Sequence, residues 1–292
     1  MIATKLRPYQ EKAVEAAMEF LSRPRKRSEV VKPGILVAPT AAGKSHILAA
    51  IAGRLNRVLI LQPSLELLRQ NLGKYIQNGG VASVYSAGAN MRQIGNVTYA
   101  TLGTVKALGH LFEGFTLLID EAHLYPPSGE SMLGKFMAAS GITRVLGLTA
   151  TPFRLKSYRN SSELKFITRT RPRFFKEVVH VIQVSEMTEN GYWSRLRYKS
   201  YNFQWTGLKA KRNGSDFTEK SMLTVWERQG MDGVIREIVA RMIEHGRKSI
   251  LVFVPSVKNA RQLAATIPGA AAVWGDMKKE NRDSVIISFK NG

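Results

Sequence analysis

Ala38-Pro-Thr-Ala-Ala-Gly-Lys-Ser45 is the stretch on which the fold turns. Ile35-Leu-Val-Ala38 leads into it as a buried strand, and a helical pattern leaves it from Lys44 to about Leu55. A small-residue turn between a strand and a helix aims successive backbone N–H groups into a concavity, at the positive end of the helix that follows. Phosphate is the ligand such a cradle takes. Thr40, Ala41, Ala42 and Gly43 would form the cradle, with Gly43 keeping side-chain atoms away from the phosphate. Lys44 would reach the β and γ phosphates of a nucleotide, and the Ser45 hydroxyl would ligate Mg2+. The plainer alternative is a small-residue turn that only starts a helix. The strand before it and the helix after it favour phosphate.

Further along, Leu117-Leu-Ile-Asp-Glu-Ala-His123 sets two carboxylates just past an apolar strand. Ligands of open α/β sheets bind at the C-terminal ends of the strands. Asp120 can hold Mg2+ there, and Glu121 can orient and deprotonate an attacking water, the two acidic roles that phosphoryl transfer needs. An isolated Asp-Glu pair would more simply cap a helix; following a phosphate loop, with strands between, the catalytic reading prevails. His123 has no second His or Cys at ligand spacing, so reading it as a metal ligand is poorly supported.

Outward from these motifs, the first half alternates short apolar runs with helical patterns. Residues 58–61, 81–85, 97–101, 117–119 and 145–148 read as strands and 65–75 as a helix. Short apolar strands covered on both faces belong to parallel α/β sheets. The chain has 292 residues, 44% of them hydrophobic, which allows a sizeable core and two domains. Lys and Arg number 43 against 22 Asp and Glu, a net charge of +21 that favours a polyanionic partner. With no cysteine, disulfides and thiolate metal sites are excluded. No run approaches the roughly 18 apolar residues that span a bilayer, and the N-terminus has no signal-peptide pattern. A cytoplasmic protein, nucleoid-associated if bacterial or phage, is expected, with no membrane partner.

Taken together, the motifs resemble those of superfamily 2 helicases with an Asp-Glu-Ala-His box, nearly end to end. Leu6-Arg-Pro-Tyr-Gln10 looks like the adenine-recognition element, which implies Arg7 and Gln10 as base contacts. Residues 38–45 are similar to motif I and 120–123 to motif II. Leu148-Thr-Ala-Thr-Pro152 resembles motif III, which implies that Thr149 and Thr151, with His123, couple hydrolysis to strand movement. Residues 62–70 resemble motif Ia and 98–105 motif Ib, which implies nucleic-acid backbone contacts at Pro63, Arg69 and Thr101. Residues 250–256 and 274–289 resemble motif IV and the stretch after it. The opening and motif III look more like DNA translocases, the group of restriction-enzyme motor subunits, Rad25-type repair helicases and phage helicases, than RNA helicases. The resemblance implies a P-loop nucleotidase with a RecA-like parallel sheet over 1–153, a basic insertion or linker over 154–230, and the start of a second RecA-like domain over 231–292. ATP and Mg2+ are the implied cofactors. In the family, motif V and an arginine-bearing motif VI complete the second domain. The sequence ends before either, so another chain or segment is expected to complete it, with slow hydrolysis until then.

Within 154–212, basic residues alternate with aromatics, among them Tyr158, Phe166, Phe174, Phe175, Tyr192, Trp193, Tyr198 and Trp205. Arg169, Arg171 and Arg173 are candidate phosphate contacts, and interleaved aromatics suit base stacking. Equally, the aromatics can be a small core and the charges its solvated face. Strands are expected at 198–205, 249–254 and 271–274, a turn at 209–215, and helices at 233–245, 256–267 and 278–289. DNA is the expected partner, double-stranded or branched. RNA helicase activity, or a nucleotide-gated DNA-binding subunit with little turnover, stands as the alternative.

Overall fold

The computed structural model describes residues 5–24, 31–125, 129–157, 162–201, 203–204, 206–209 and 217–291. In chain order the elements are α1 (Pro8–Ser22), β1 (Gly34–Val37), α2 (Lys44–Gly53), β2 (Val58–Gln62), α3 (Leu65–Gln77), β3 (Ser83–Ser86), β4 (Met91–Arg92), β5 (Val97–Thr101), α4 (Leu102–Val105), β6 (Thr116–Ile119), α5 (Met132–Ser140), β7 (Arg144–Thr149), β8 (Phe153–Ser157), β9 (Ser162–Phe166), β10 (Glu177–Val181), α6 (Val184–Glu189), α7 (Glu219–Arg228), α8 (Met231–Glu244), α9 (Val257–Thr266) and α10 (Lys279–Asn291). They fall into two compact units, the described residues of Met1–Leu155 with Leu164–Arg197, and those of Lys156–Glu163 with Tyr198–Gly292.

In the first unit, eight strands form one sheet in the order β10-β1-β7-β6-β2-β5-β3-β4. Every neighbouring pair is parallel except β3 with β4. Successive side chains of a strand point to opposite faces, so each apolar run feeds two cores. Leu36, Ile60, Tyr99, Leu118 and Leu148 pack with residues of α1, α2 and α3 on one face. Ile35, Leu59, Leu117, Ile119 and Val145 pack with α4 and α5 on the other. The result is the RecA-like α/β sandwich, helices over both faces of a mainly parallel sheet. Helix α1 joins the first core through Tyr9, Ala13, Val14, Ala17, Phe20 and Leu21, a stripe at helical spacing. Pro8 occupies its first turn, where its missing N–H costs nothing.

The expected boundary at residue 153 does not mark the edge of this unit. The chain runs from β9 through Ile167 and Phe175, both buried in the second core, and enters the sheet as β10 beside β1. Lys176 N donates to Pro33 O at 2.8 Å where that strand begins. Phe166 and Phe174 pack against the same core, and Tyr192 and Trp193 against the first. Phe175 is buried and the other four aromatics are partly buried, while Arg169, Arg171 and Arg173 are exposed. Tyr198 is 89% exposed; Tyr158 and Trp205 lie outside the described residues.

The second unit holds the helices α7 to α10 and the far ends of the strands β8 and β9, which pair with each other. Thr218 and Ser256 cap α7 and α9 by accepting from Ser221 N and Asn259 N, and Trp226 Nε1 donates to Asp232 Oδ1 at 2.7 Å where α8 begins. The strands expected at 249–254 and 271–274 do not form, and none is present at the described positions of 198–205. A strand requires a hydrogen-bonded neighbour, and no described segment pairs with these. Leu251 and Phe253 are 70% and 89% exposed as a result. Most of the turn expected at 209–215 lies outside the described residues.

Gly147 tests whether the segment beyond residue 153 belongs to the first unit. A Cβ there would lie 2.6 Å from the Phe175 ring and 2.7 Å from Ala122 Cβ. Gly147→Ala should therefore destabilise the chain by roughly 1–3 kcal/mol, the usual range for overpacking, and Gly147→Ala with Phe175→Leu should recover part of it. Urea unfolding of the three proteins checks this. Full stability of Gly147→Ala would mean that Phe175 does not pack on β7.

Candidate nucleotide site

The loop after β1 is held from both sides. Ala38 N continues the ladder to Thr149 O at 2.9 Å, and Ala42 N closes a turn on Pro39 O at 3.0 Å. Ala41 and Gly43 adopt positive φ, +64° and +79°. For alanine that conformation carries a strain of order 1 kcal/mol, and such strain concentrates at ligand sites. Tyr9 Oη and Gln10 Nε2 both donate to Ala42 O, at 3.1 and 3.0 Å. Gln10 Oε1 in turn accepts from Arg7 N at 2.9 Å. The Gln10 amide therefore ties the start of α1 to the phosphate loop. It also favours glycine next to it, because Gly43 holds a positive φ and a Cβ there would stand 2.3 Å from Gln10 Nε2, which would have to give way. His46 N and Ile47 N take Gly43 O. The N–H groups of Gly43, Lys44 and Ser45 have no acceptor among the described residues, as in an anion cradle.

Strand β6 delivers the acids to the same edge, with β7 between it and β1. Lys44 Nζ lies 3.4 Å from Asp120 Oδ1 and bonds Glu121 Oε1. Asp120 is buried, and its carboxylate accepts from Asn71 Nδ2 at 2.9 Å and from Glu121 N at 2.9 Å. Asn71 also donates to Gln62 Oε1 at 3.1 Å, which fixes the amide. Glu121 itself sits at φ +46°, a left-handed conformation that turns its side chain back toward the loop. The Ser45 hydroxyl and the Asp120 carboxylate are hard oxygen donors. They suit Mg2+, which takes few protein ligands and completes its shell with phosphate oxygens and water. Among the described residues no cluster of three or more His, Cys, Asp or Glu forms a cage for a metal.

His123, Thr149 and Thr151 converge as well. His123 Nδ1 lies 2.8 Å from Thr149 Oγ1 and 3.4 Å from Glu121 Oε2. Thr149 Oγ1 accepts from Thr151 N at 3.1 Å. A continuous polar path thus runs from Glu121 to the backbone that leaves β7.

Sequence reasoning missed several residues around the loop. The Arg7 guanidinium lies over the Tyr192 ring at 4.8 Å, and Tyr192 packs on Tyr9 at 4.9 Å. Trp193 Nε1 beside them is buried without a hydrogen-bond partner among the described residues. Lys74 on α3 donates to Ser45 Oγ at 3.4 Å. Burial pushes the His46 imidazole below its usual range, with Lys74 and Arg7 adding to the effect. Burial, with Asp120 and Glu121 nearby, pushes the Tyr125 phenol up. Asn71 and Lys74 share a helix face at i and i+3, a spacing legible beforehand but not specific.

The residues expected to touch nucleic acid are less gathered. Pro63 and Thr101 follow or end the paired strands β2 and β5, where Gln62 lies opposite Thr101. Thr101 Oγ1 is engaged with Ser86 and Thr104 at 3.2 and 3.0 Å. Arg69 is exposed on α3. Arg169, Arg171 and Arg173 occupy the connection between β9 and β10, where Arg173 Nη1 reaches Thr168 O at 3.5 Å.

Two solved structures of the UvsW helicase from bacteriophage T4 are similar. One has 22% identity over 51% of this chain and 54% of that one, with a TM-score of 0.40. The other has 16% identity over 99% and 56%, with a TM-score of 0.42. The chain spans about half the length of these UvsW chains. No curated protein matches it. The family described as Type III restriction enzyme, res subunit, matches residues 3–154, just over half of the chain and every residue from Arg7 to Thr151 named in the site. The chain belongs to this Type III restriction enzyme res-subunit family.

Proposed function

We propose that the chain binds ATP with Mg2+ at this site and couples hydrolysis to ADP and phosphate to movement on DNA, as part of a superfamily 2 helicase or translocase. The observation that carries the reading is the Lys44 ammonium at the mouth of an anion cradle, held between Asp120 and Glu121. A cation so placed keeps two partly buried carboxylates compensated until a ligand arrives. In the reading, Lys44 transfers to the β and γ phosphates, and the N–H groups of Gly43, Lys44 and Ser45 take phosphate oxygens. Ser45 and Asp120 hold the metal, which when bound neutralises charge on those oxygens. Glu121, freed from Lys44, accepts the proton of an attacking water. His123, Thr149 and Thr151 link Glu121 to the end of β7 and so transmit the state of the site. Arg7 over Tyr192 offers a flat cationic face, and with Gln10 supports recognition of the base. The Asp120–His123 box, the fold and the family match support the helicase reading. The net charge of +21 and the restriction-enzyme description of the family support DNA. Pro63, Arg69, Thr101 and the three arginines are the proposed backbone contacts.

Calorimetric titration with ATP and Mg2+ tests the nucleotide half. The intact chain should bind, and Lys44→Ala should lose about 1.5–3 kcal/mol or more, since it removes a phosphate contact and also leaves two carboxylates facing the phosphates. Equal affinity in the two proteins contradicts the reading. For the DNA half, affinity should fall steeply with salt as counterions are released. Replacing Arg169, Arg171 and Arg173 together by Gln should lower the slope of log affinity against log salt by up to about 2–3 units. An unchanged slope would place the DNA-contacting surface elsewhere.

A further inference from the structure

We infer that Lys74 is a second phosphate-contacting cation of the nucleotide site, acting beside Lys44. The inference rests on the reading of that site as nucleotide-binding.

Lys74 lies one helical turn beyond Asn71 on α3, and Asn71 is anchored to Asp120. Its stem is half-buried against the loop. The one hydrogen bond of its ammonium among the described residues is the long contact to a neutral oxygen, Ser45 Oγ at 3.4 Å. No carboxylate among the described residues pairs with it; Asp120 and Glu121 lie against Lys44 instead. An ammonium carries three donors and strongly favours anionic acceptors. An ammonium with no anionic partner, set against Ser45 beside the anion cradle of Gly43–Ser45, is placed to take phosphate oxygens. Phosphate oxygens entering the cradle would satisfy both the free N–H groups and the Lys74 ammonium, and would release Ser45 Oγ for the metal.

The test is calorimetric titration of the full chain with a non-hydrolysable ATP analogue and Mg2+. It compares wild type, Lys74→Met, Lys74→Gln, Lys74→Arg and Lys44→Ala, with the thermal unfolding of each unliganded protein as the control for folding. Lys74→Met should bind about ten- to a hundredfold more weakly, the usual worth of a charge-assisted contact. Lys74→Gln, which keeps a donor for Ser45 but no charge, should lose as much, and Lys74→Arg should keep most of the affinity. Wild-type affinity in Lys74→Met and Lys74→Gln, with the loss confined to Lys44→Ala, overturns the inference and leaves the site reading standing. A lower Mg2+ requirement with unchanged affinity for the analogue would also overturn it, showing Lys74 as a stand-in for the metal at Ser45. Absence of binding by wild type overturns both.

Discussion

In a parallel sheet every strand ends on the same edge, and that constraint puts residues far apart in the chain into contact. Lys44 and Glu121 are 77 positions apart, yet β1 and β6 deliver them to one place with only β7 between. The strand that separates them contributes Thr149, and His123 bridges from Glu121 to it. Were any of these strands antiparallel, its motif would emerge on the opposite edge. The hydrophobic cores on the two faces matter here chiefly because they fix the sheet's order. Leu36, Leu118 and Leu148 on one face, and Ile35, Leu117 and Val145 on the other, leave each strand one register.

What the edge gathers is a balance of charge. Two acids, two lysines and the N-terminus of α2 meet there. Lys44 compensates Asp120 and Glu121, and Asn71 and the Glu121 N–H take further lone pairs of Asp120. The loop is also held taut. Ala41 and Glu121 both accept left-handed backbone angles, and Gln10 and Tyr9 pin Ala42 from α1. A cradle pinned in this way has its geometry set before phosphate arrives, so binding need not order it.

Much of this was legible from residue order because strand-end motifs are local. The loop at 38–45, Asp120 with Glu121, and Thr149 with Thr151 each follow an apolar run that reads as a strand. Their mutual contacts follow from parallel order. The residues that escaped notice act across the fold. Asn71 and Lys74 sit on a helix whose rotation is set by the packing of Leu68 and Tyr75. Tyr192 and Trp193 lie in a stretch dominated by charge, and nothing local directs them to Arg7 and Tyr9. Strand β10 was hidden for a similar reason: as an edge strand, Glu177-Val-Val-His-Val181 mixes exposed and half-buried positions. The apolar runs at 249–254 and 271–274 show the converse, since β-propensity without a partner strand leaves no ladder. Helix α1 was readable from its stripe at 9, 13, 14, 17, 20 and 21, although the motif at 6–10 drew attention to single residues instead.

The account stands on one claim: Lys44, Asp120, Glu121 and Ser45 form a site whose internal ion pair gives way to a metal–nucleotide complex. The most direct measurement is a crystal structure of the chain with Mn2+ and a non-hydrolysable ATP analogue, the metal located by its anomalous scattering. The account predicts Mn2+ between Ser45 and Asp120, phosphate oxygens on the N–H groups of Gly43–Ser45, and the Lys44 ammonium moved from Glu121 to the phosphates. Nucleotide bound elsewhere, with Lys44 still paired to Asp120 and Glu121, would contradict it.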